Sequence, residues 1–287
     1  MVTLCGRNIA HIRDLSLTRD KIEQEILQTA DKIVVYTKAE KEMVKKNYSD
    51  IFAPSEIDKK IALIPLGVDF QEINTKIRHQ YRKCLRDYYL NNLSSTINFF
   101  MLGRVDVLKG QKEAIMAFSK ALKECPSLNI SLSIFGEVGC GEKNIEYNKE
   151  ICKIVDKQPK YIKSRIMFHG ICPTIHALAI GDIFLGPSKF EMWYLSANEA
   201  SACSIPTILS DNKIMREIYG KGNCFVNPYD IDSIKNAMVK MATNNKYRQK
   251  IGYYNCKHTK KYTWKNSARQ LRKVFETTLA QNQIGIN

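Results

Sequence analysis

The stretch INFFMLGRVDVLKGQKEAIMAFSKAL, Ile97 to Leu122, decides the fold. Its first six residues are apolar almost throughout, as expected of a strand covered on both faces. Its last part sets Ala114, Ile115, Phe118, Ala121 and Leu122 at i, i+1, i+4, i+7 and i+8, one stripe of a helix. Between them GRVDVLKG (Gly103–Gly110) is a strand-to-helix loop carrying Arg104 and Lys109. Two cations beside a helix N-terminus, where free N–H groups and the dipole face outward, make an anion site. The same pair also fits an ordinary loop with two solvated charges.

The strand–loop–helix unit recurs on both sides. KIVVY (Lys32–Tyr36) is a short β-branched run, and Thr37 with Glu40 reads as a capping box opening a charged helix to about Lys46. IALIPLGVD (Ile61–Asp69) is a strand running into a turn. ISLSIF (Ile130–Phe135) alternates with period two. DIFL (Asp182–Leu185), PTILS (Pro206–Ser210) and CFV (Cys224–Val226) each precede a helical pattern. This alternation predicts an α/β fold with a doubly wound parallel sheet, helices on both faces and ligands beyond the carboxyl ends of the strands. The polar, basic segment from Phe70 to Thr96 reads as a connector helix plus loop.

A chain of 287 residues can bury a substantial core, and 44% hydrophobic with 25% charged residues excludes a disordered tail, a collagen-like repeat and a small disulfide scaffold. Of the net charge of +15, most belongs to residues 240–273, which hold 11 cations and no acid. Tyr247, Tyr253, Tyr254, Tyr262 and Trp264 interleave with them. Such a tail suits an anionic membrane surface or nucleic acid, and equally a solvated helical face with core-facing rings. Nine scattered cysteines without a C-x-x-C pair read as free thiols in a reducing compartment. The N-terminus lacks a signal-peptide pattern, and the most apolar region, Ile166 to Leu185, is broken by His169, Pro173, His176 and Asp182. The expected location is the cytoplasm.

Three further constellations bear on chemistry. In GPSKFEMWYLSANEASA, a helix starting near Leu195 or Ser196 puts Glu191 on the preceding loop and Glu199 in the first turn. Ser196-x-x-Glu199 is also a capping box, so spacing alone assigns neither glutamate. His169-x-x-Cys172-x-x-x-His176 offers soft ligands without a fourth and matches no common zinc pattern; core or loop side chains are the simpler reading. GEVGCG (Gly136–Gly141) is a glycine-rich turn that fails the dinucleotide fingerprint, and no P-loop occurs.

Taken in order, IPLGVD, GRVDVLKG, SLSIFGE, IMFHGICP, DIFLGPSKFEMWYLSANEASACSIPTILS and YTW resemble the retaining, sugar-nucleotide-dependent glycosyltransferases of family 4, which have the GT-B fold. DKIVVYTKAEKEMVKKNY looks like the segment that ends that family's N-terminal domain. The resemblance implies a partial N-terminal, acceptor-side domain over 1–70, a connector over 71–96, and a sugar-nucleotide-binding domain over 97–287 that includes the terminal helix. It implies that Gly103, Arg104 and Lys109 lie at the donor diphosphate, with the two cations neutralising it. Glu191 would lie by the transferred sugar and Glu199 would hold the ribose. Backbone amides of Trp193, Tyr194 and Leu195 would contact phosphate, and Ile171 and Cys172 would lie by the base. Glu191, Arg104 and Lys109 are the catalytic candidates, with no metal and no cofactor beyond the nucleotide-sugar substrate.

The chain departs from the family at several places. Trp193-Tyr194 stands for Phe-Gly, so Tyr194 is expected to crowd the phosphate or reshape the sugar pocket. Ser204 stands for glycine, Leu66 for asparagine and Asp211-Asn212 for a glycine pair. Only about 70 residues precede the hinge; His11 is the candidate for the family's N-domain histidine, with Cys5 the other. The expected acceptor is a glycan or a lipid-linked sugar, and residues 240–273 would touch the inner face of an anionic membrane. Two other readings stand beside this one. The chain could be a truncated or degenerate non-catalytic relative, or a subunit whose N-terminal domain is completed by a partner chain. Alternatively the basic tail binds nucleic acid.

Overall fold

The computed structural model describes residues 2–3, 24–69 and 75–284. The chain builds two parallel sheets in succession. The first joins β1 (Val2–Thr3), β2 (Ile33–Val35) and β3 (Ile61–Leu63) in that order, all parallel. Helix α1 (Lys38–Asn47) follows β2, and α2 (Pro54–Lys60) leads into β3. The expected box at the start of α1 is present. Thr37 Oγ1 accepts the Glu40 N–H at 3.0 Å, and Glu40 Oε2 turns back to accept the Tyr36 N–H at 2.6 Å. His11 and Cys5 lie outside the described residues.

After the connector helix α3 (Thr75–Leu90) come β4 (Ile97–Leu102), α4 (Gln111–Glu124), β5 (Ile130–Phe135), α5 (Glu142–Asp156), α6 (Lys160–Lys163) and β6 (Ile166–Gly170). They continue as α7 (Thr174–Ile180), β7 (Ile183–Gly186), α8 (Leu195–Ala202), β8 (Thr207–Ser210), α9 (Lys213–Tyr219), β9 (Cys224–Val226) and the helices α10 (Ile231–Thr243), α11 (Asn245–Thr259) and α12 (Trp264–Ile284). The strands pair in the order β6-β5-β4-β7-β8-β9, all parallel. The first strand of this sheet thus sits at its centre. From β4 the chain winds outward to β6, then returns to β7 on the other side of β4. The loops leaving β4 and β7 part in opposite directions, and the crevice between them is where a doubly wound sheet receives a ligand.

Alternation along each strand separates two cores. Phe99 and Met101 face one way and pack with Ala114, Ile115 and Phe118 of α4. Phe100, Phe135 and Phe184 face the other way, toward α7 and α8. That second core runs on without a break into Val35, Val44 and Ile57 of the N-terminal sheet and its helices. Apolar burial therefore holds the two sheets together.

The period-two alternation of β5 does not mark a wet face, because all six residues are buried. The hydroxyls of Ser131 and Ser133 both donate to Asn98 Oδ1 on β4, each at 3.1 Å, so the polar side of the strand is satisfied inside. The connector is anchored as well. Arg82 and Arg86 of α3 both pair with Asp182, whose Oδ2 also accepts the Asn98 N–H at 2.8 Å.

Candidate active site at the carboxyl ends of the central strands

The loop after β4 turns on Asp106, whose carbonyl accepts the Lys109 N–H at 2.9 Å and whose side chain accepts the Leu108 N–H at 3.1 Å. It ends at Gly110, which caps α4 with φ 76° and ψ 22°. A Cβ there would lie 2.2 Å from the Pro187 carbonyl oxygen, so glycine is required by conformation and by space. The loop after β7 is tied to it through the Lys189 N–H, which donates to the Leu108 carbonyl at 2.7 Å.

These ties bring Lys109 and Glu191 into direct contact as an ion pair. Both side chains are mostly buried, and the Lys109 ammonium also sits 4.8 Å from the centre of the Tyr194 ring. Burial pushes the Glu191 carboxyl above the usual carboxylate range, opposed by Lys109 and, more weakly, by Arg104. Arg104, Lys109 and Glu191 line one cavity of about 320 Å³, together with Asp106. Tyr36 and Leu66 close it from the N-terminal side.

The structure starts α8 at Leu195, as the sequence implies, but corrects the capping reading. Ser196 Oγ donates to the Leu102 carbonyl at the end of β4, at 2.7 Å, and no side chain caps the helix. The amides of the first turn are therefore left for another acceptor. Gly103, Arg104, Ile171, Cys172, Leu195, Ser196 and Glu199 line a second cavity of about 350 Å³. Arg104 belongs to both cavities and marks where they meet.

Trp193 borders the first cavity with its ring buried edge-on against Tyr36 and Tyr262. Tyr194 turns the other way. Its ring is 3% exposed and packs edge-to-face on Phe184 at 5.3 Å, while its carbonyl accepts the Tyr219 hydroxyl at 2.8 Å. The side chain thus fills core volume above Gly186 instead of lining either cavity.

His169, Cys172 and His176 do not converge. His169 stacks on Phe135 with its Nε2 3.1 Å from Ser133 Oγ, and His176 Nδ1 lies 3.0 Å from the Tyr89 hydroxyl. No group of three metal-ligating side chains occurs among the described residues. Gly136 and Glu137 of the glycine-rich turn join the second cavity. Sequence reasoning missed Tyr36, Asp106, Phe190 and Met192 as walls of the first. Only the position of Asp106, inside the loop, could have signalled it.

Residues 91–258 match the family described as glycosyl transferases group 1. The D-inositol 3-phosphate glycosyltransferase of Corynebacterium jeikeium is 24% identical over 88% of this chain, and the match takes in 59% of that protein. The mannosylfructose-phosphate synthase of Agrobacterium fabrum is 26% identical over 61% of this chain and 39% of its own length. The chain therefore spans a little under three fifths of the inositol phosphate glycosyltransferases it matches. Among solved structures, Anabaena HepE with UDP and glucose overlays 96% of this chain and 70% of its own at a TM-score of 0.72 and 15% identity. The sucrose-phosphate synthase of Thermosynechococcus elongatus overlays 95% of this chain and 64% of its own, with a TM-score of 0.72 and 19% identity. The fold is of the GT-B type, and the chain belongs to the glycosyl transferases group 1 family.

Proposed function

We propose that this chain transfers a sugar from a nucleoside-diphosphate donor to an acceptor hydroxyl, with retention of configuration. One observation carries the reading. Arg104, the Lys109–Glu191 pair and the uncapped start of α8 converge at the point where the loops after β4 and β7 part. In this reading the nucleoside lies in the cavity of Ile171, Cys172 and Glu199, the diphosphate by Arg104 and the sugar by Glu191. A carboxylate at position 199 accepts hydrogen bonds from the ribose hydroxyls, which are donors as well as acceptors.

In the reaction the bond from the anomeric carbon to the β-phosphate oxygen breaks. A bond to the acceptor oxygen forms on the same face, and the acceptor proton passes to the departing phosphate. Negative charge grows on the leaving diphosphate. Arg104, the helix start and the two Lys109 N–H groups that Glu191 does not use are placed to stabilise it, with no metal required. The named partners of similar proteins fit this chemistry. One relative is named for an inositol phosphate, and HepE was solved with UDP and glucose. We also place the tail against an anionic membrane, where Trp264, Phe275 and Leu279 are exposed among cations.

The test is thermal stabilisation of the chain by UDP, GDP, ADP and CDP, beside Arg104→Ala and Glu199→Ala. A ligand that binds only the folded state adds roughly 2.7 kcal/mol at a hundredfold excess over Kd. A shift with one diphosphate that both variants lose supports the donor site. A folded chain that ignores all of them overturns it. The anomeric configuration of the product, read by NMR in the presence of EDTA, tests retention and independence from metal.

A further inference from the structure

Phe190 and Glu191 line a third cavity, of about 530 Å³, as well as the first. Arg104 joins the first cavity to the second, so the three run in a row with Glu191 between the first and the third. One face of α1 walls the third cavity. Ala39 and Met43, four residues apart, give it apolar surface, and Lys38, Glu42 and Lys46 give it a charged row at the same spacing. Phe190 and Ile214 complete the apolar floor, and Lys213, the first residue of α9, lines the cavity opposite α1.

The charges around this cavity do not cancel. Glu42 lies 3.9 Å from Lys45, Glu191 is held by Lys109, and Lys189 pairs with Glu113 at 2.7 Å. Among the described residues, Lys38, Lys46 and Lys213 have no carboxylate within ion-pair distance, and all three are exposed. Three ammonium groups around an apolar floor suit a ligand with both an apolar body and a concentrated negative charge. A phosphate that joins a lipid to a sugar keeps at least one negative charge and two non-bridging oxygens that accept charge-assisted hydrogen bonds. A free sugar phosphate would use the lysines and leave Met43, Phe190 and Ile214 uncovered.

We propose that the third cavity receives the acceptor, and that the acceptor is a phosphate-linked lipid. The first hydrocarbon units lie on Met43, Phe190 and Ile214, and the phosphate sits among Lys38, Lys46 and Lys213. The hydroxyl to be glycosylated extends toward Glu191. The acceptor role rests on the reading of Glu191 as the carboxylate beside the transferred sugar.

The experiment is calorimetric titration of the full chain with decyl phosphate below its micellar concentration. Inorganic phosphate and decyl maltoside are titrated in parallel, and the nucleoside diphosphates into the same preparations. Decyl phosphate is expected to saturate one site. Its affinity should fall at least about tenfold in Lys38→Ala/Lys46→Ala/Lys213→Ala, where three charge-assisted contacts are lost, and also in Met43→Ala. Nucleoside diphosphate affinity should stay within about twofold in the lysine variant, whose positions lie outside the donor cavities. Equal affinity for inorganic phosphate would assign the cavity to free sugar phosphates and overturn the lipid. Equal affinity for decyl maltoside, or an unaffected lysine variant, would overturn the anion site. If no nucleoside diphosphate binds the wild-type chain, the reading of Glu191 fails and the acceptor role falls with it.

Discussion

Lys109 and Glu191 are 82 residues apart in the chain, yet they form a mostly buried ion pair across the crevice between β4 and β7. Removing one partner of such a pair leaves a desolvated charge behind, which costs more than the pair contributes. Lys109→Met should therefore lower stability by about 2–4 kcal/mol in urea unfolding. Sugar transfer should fall at least about a hundredfold, as when a preorganised donor to a developing anion is lost. The double variant Lys109→Met/Glu191→Leu should regain most of the stability and none of the transfer. Recovery of transfer would show that neither residue acts on the reaction.

Tyr194 replaces a residue type that would leave its position empty, and its ring has become part of the core. Tyr194→Gly should cost about 3–5 kcal/mol, as large-to-small changes at buried aromatic sites do. It should not tighten nucleotide binding, because the ring lines neither of the first two cavities. A tenfold gain in nucleoside diphosphate affinity would instead show that the ring obstructs the site.

Glu40 is fully buried, and burial raises its carboxyl from 4.5 to about 7 against the opposing Tyr36 and Thr37 amide hydrogen bonds; Glu217 adds to the rise. The unfolded chain ionises this group near its ordinary value, while the folded chain keeps the proton. Its stabilising effect is therefore full below about pH 4.5, fades as pH rises, and is gone above about pH 7. His169, which burial lowers from 6.5 to about 4, slopes the other way as pH falls, so the informative quantity is a difference between variants. Glu40→Gln should be more stable than the wild type by a margin that grows from pH 5 to 7 and reaches about 3 kcal/mol. Parallel stability curves for the two proteins would exclude the buried proton.

Lys265, Arg269, Arg272 and Lys273 share α12 with exposed Phe275 and Leu279, the latter 63% exposed. Vesicles containing anionic lipid should retain the chain at low salt and release it near 0.5 M, where screening shortens to about 4 Å. Reversing Lys265, Arg269, Arg272 and Lys273 to glutamate should abolish retention without moving the melting temperature by more than a few degrees. Binding that survives high salt would point to the apolar side chains instead.

Much of this architecture was legible along the chain. Every expected strand from INFFML to CFV is present. Most are near-continuous apolar runs, as parallel strands buried on both faces are, and ISLSIF can bury its serines because both donate to Asn98 on the neighbouring strand. The placement of Arg104, Lys109 and Glu191 at one crevice follows from the strand order, which alternation alone did not state. Other features depend on neighbours distant in sequence. Ser196 has the spacing of a cap, but the helix begins one residue before it with Tyr194 at the N-cap position, and the Ser196 hydroxyl donates to the Leu102 carbonyl. The direction of the Tyr194 ring depends on the space that Gly186 leaves in β7, where a Cβ would lie 2.7 Å from Tyr194 Cε1. The cluster of Lys38, Lys46 and Lys213 is assembled from positions up to 175 residues apart, so no local pattern announces it.

The close approach of α12 to the segment after β3 has a mechanical consequence. Ser267 Oγ donates to the Pro65 carbonyl at 2.6 Å, Val68 N–H donates to Tyr262 O at 3.1 Å, and a Cβ on Gly67 would collide with the Trp264 amide at 2.0 Å. Between these fastenings lies Leu66, which forms part of the wall of the first cavity. The passage from one sheet to the other is therefore stitched to the end of the chain like the spine of a book. Any swing of the two covers must bend at these stitches, so a bulkier residue at position 67 should jam the binding while leaving every page intact.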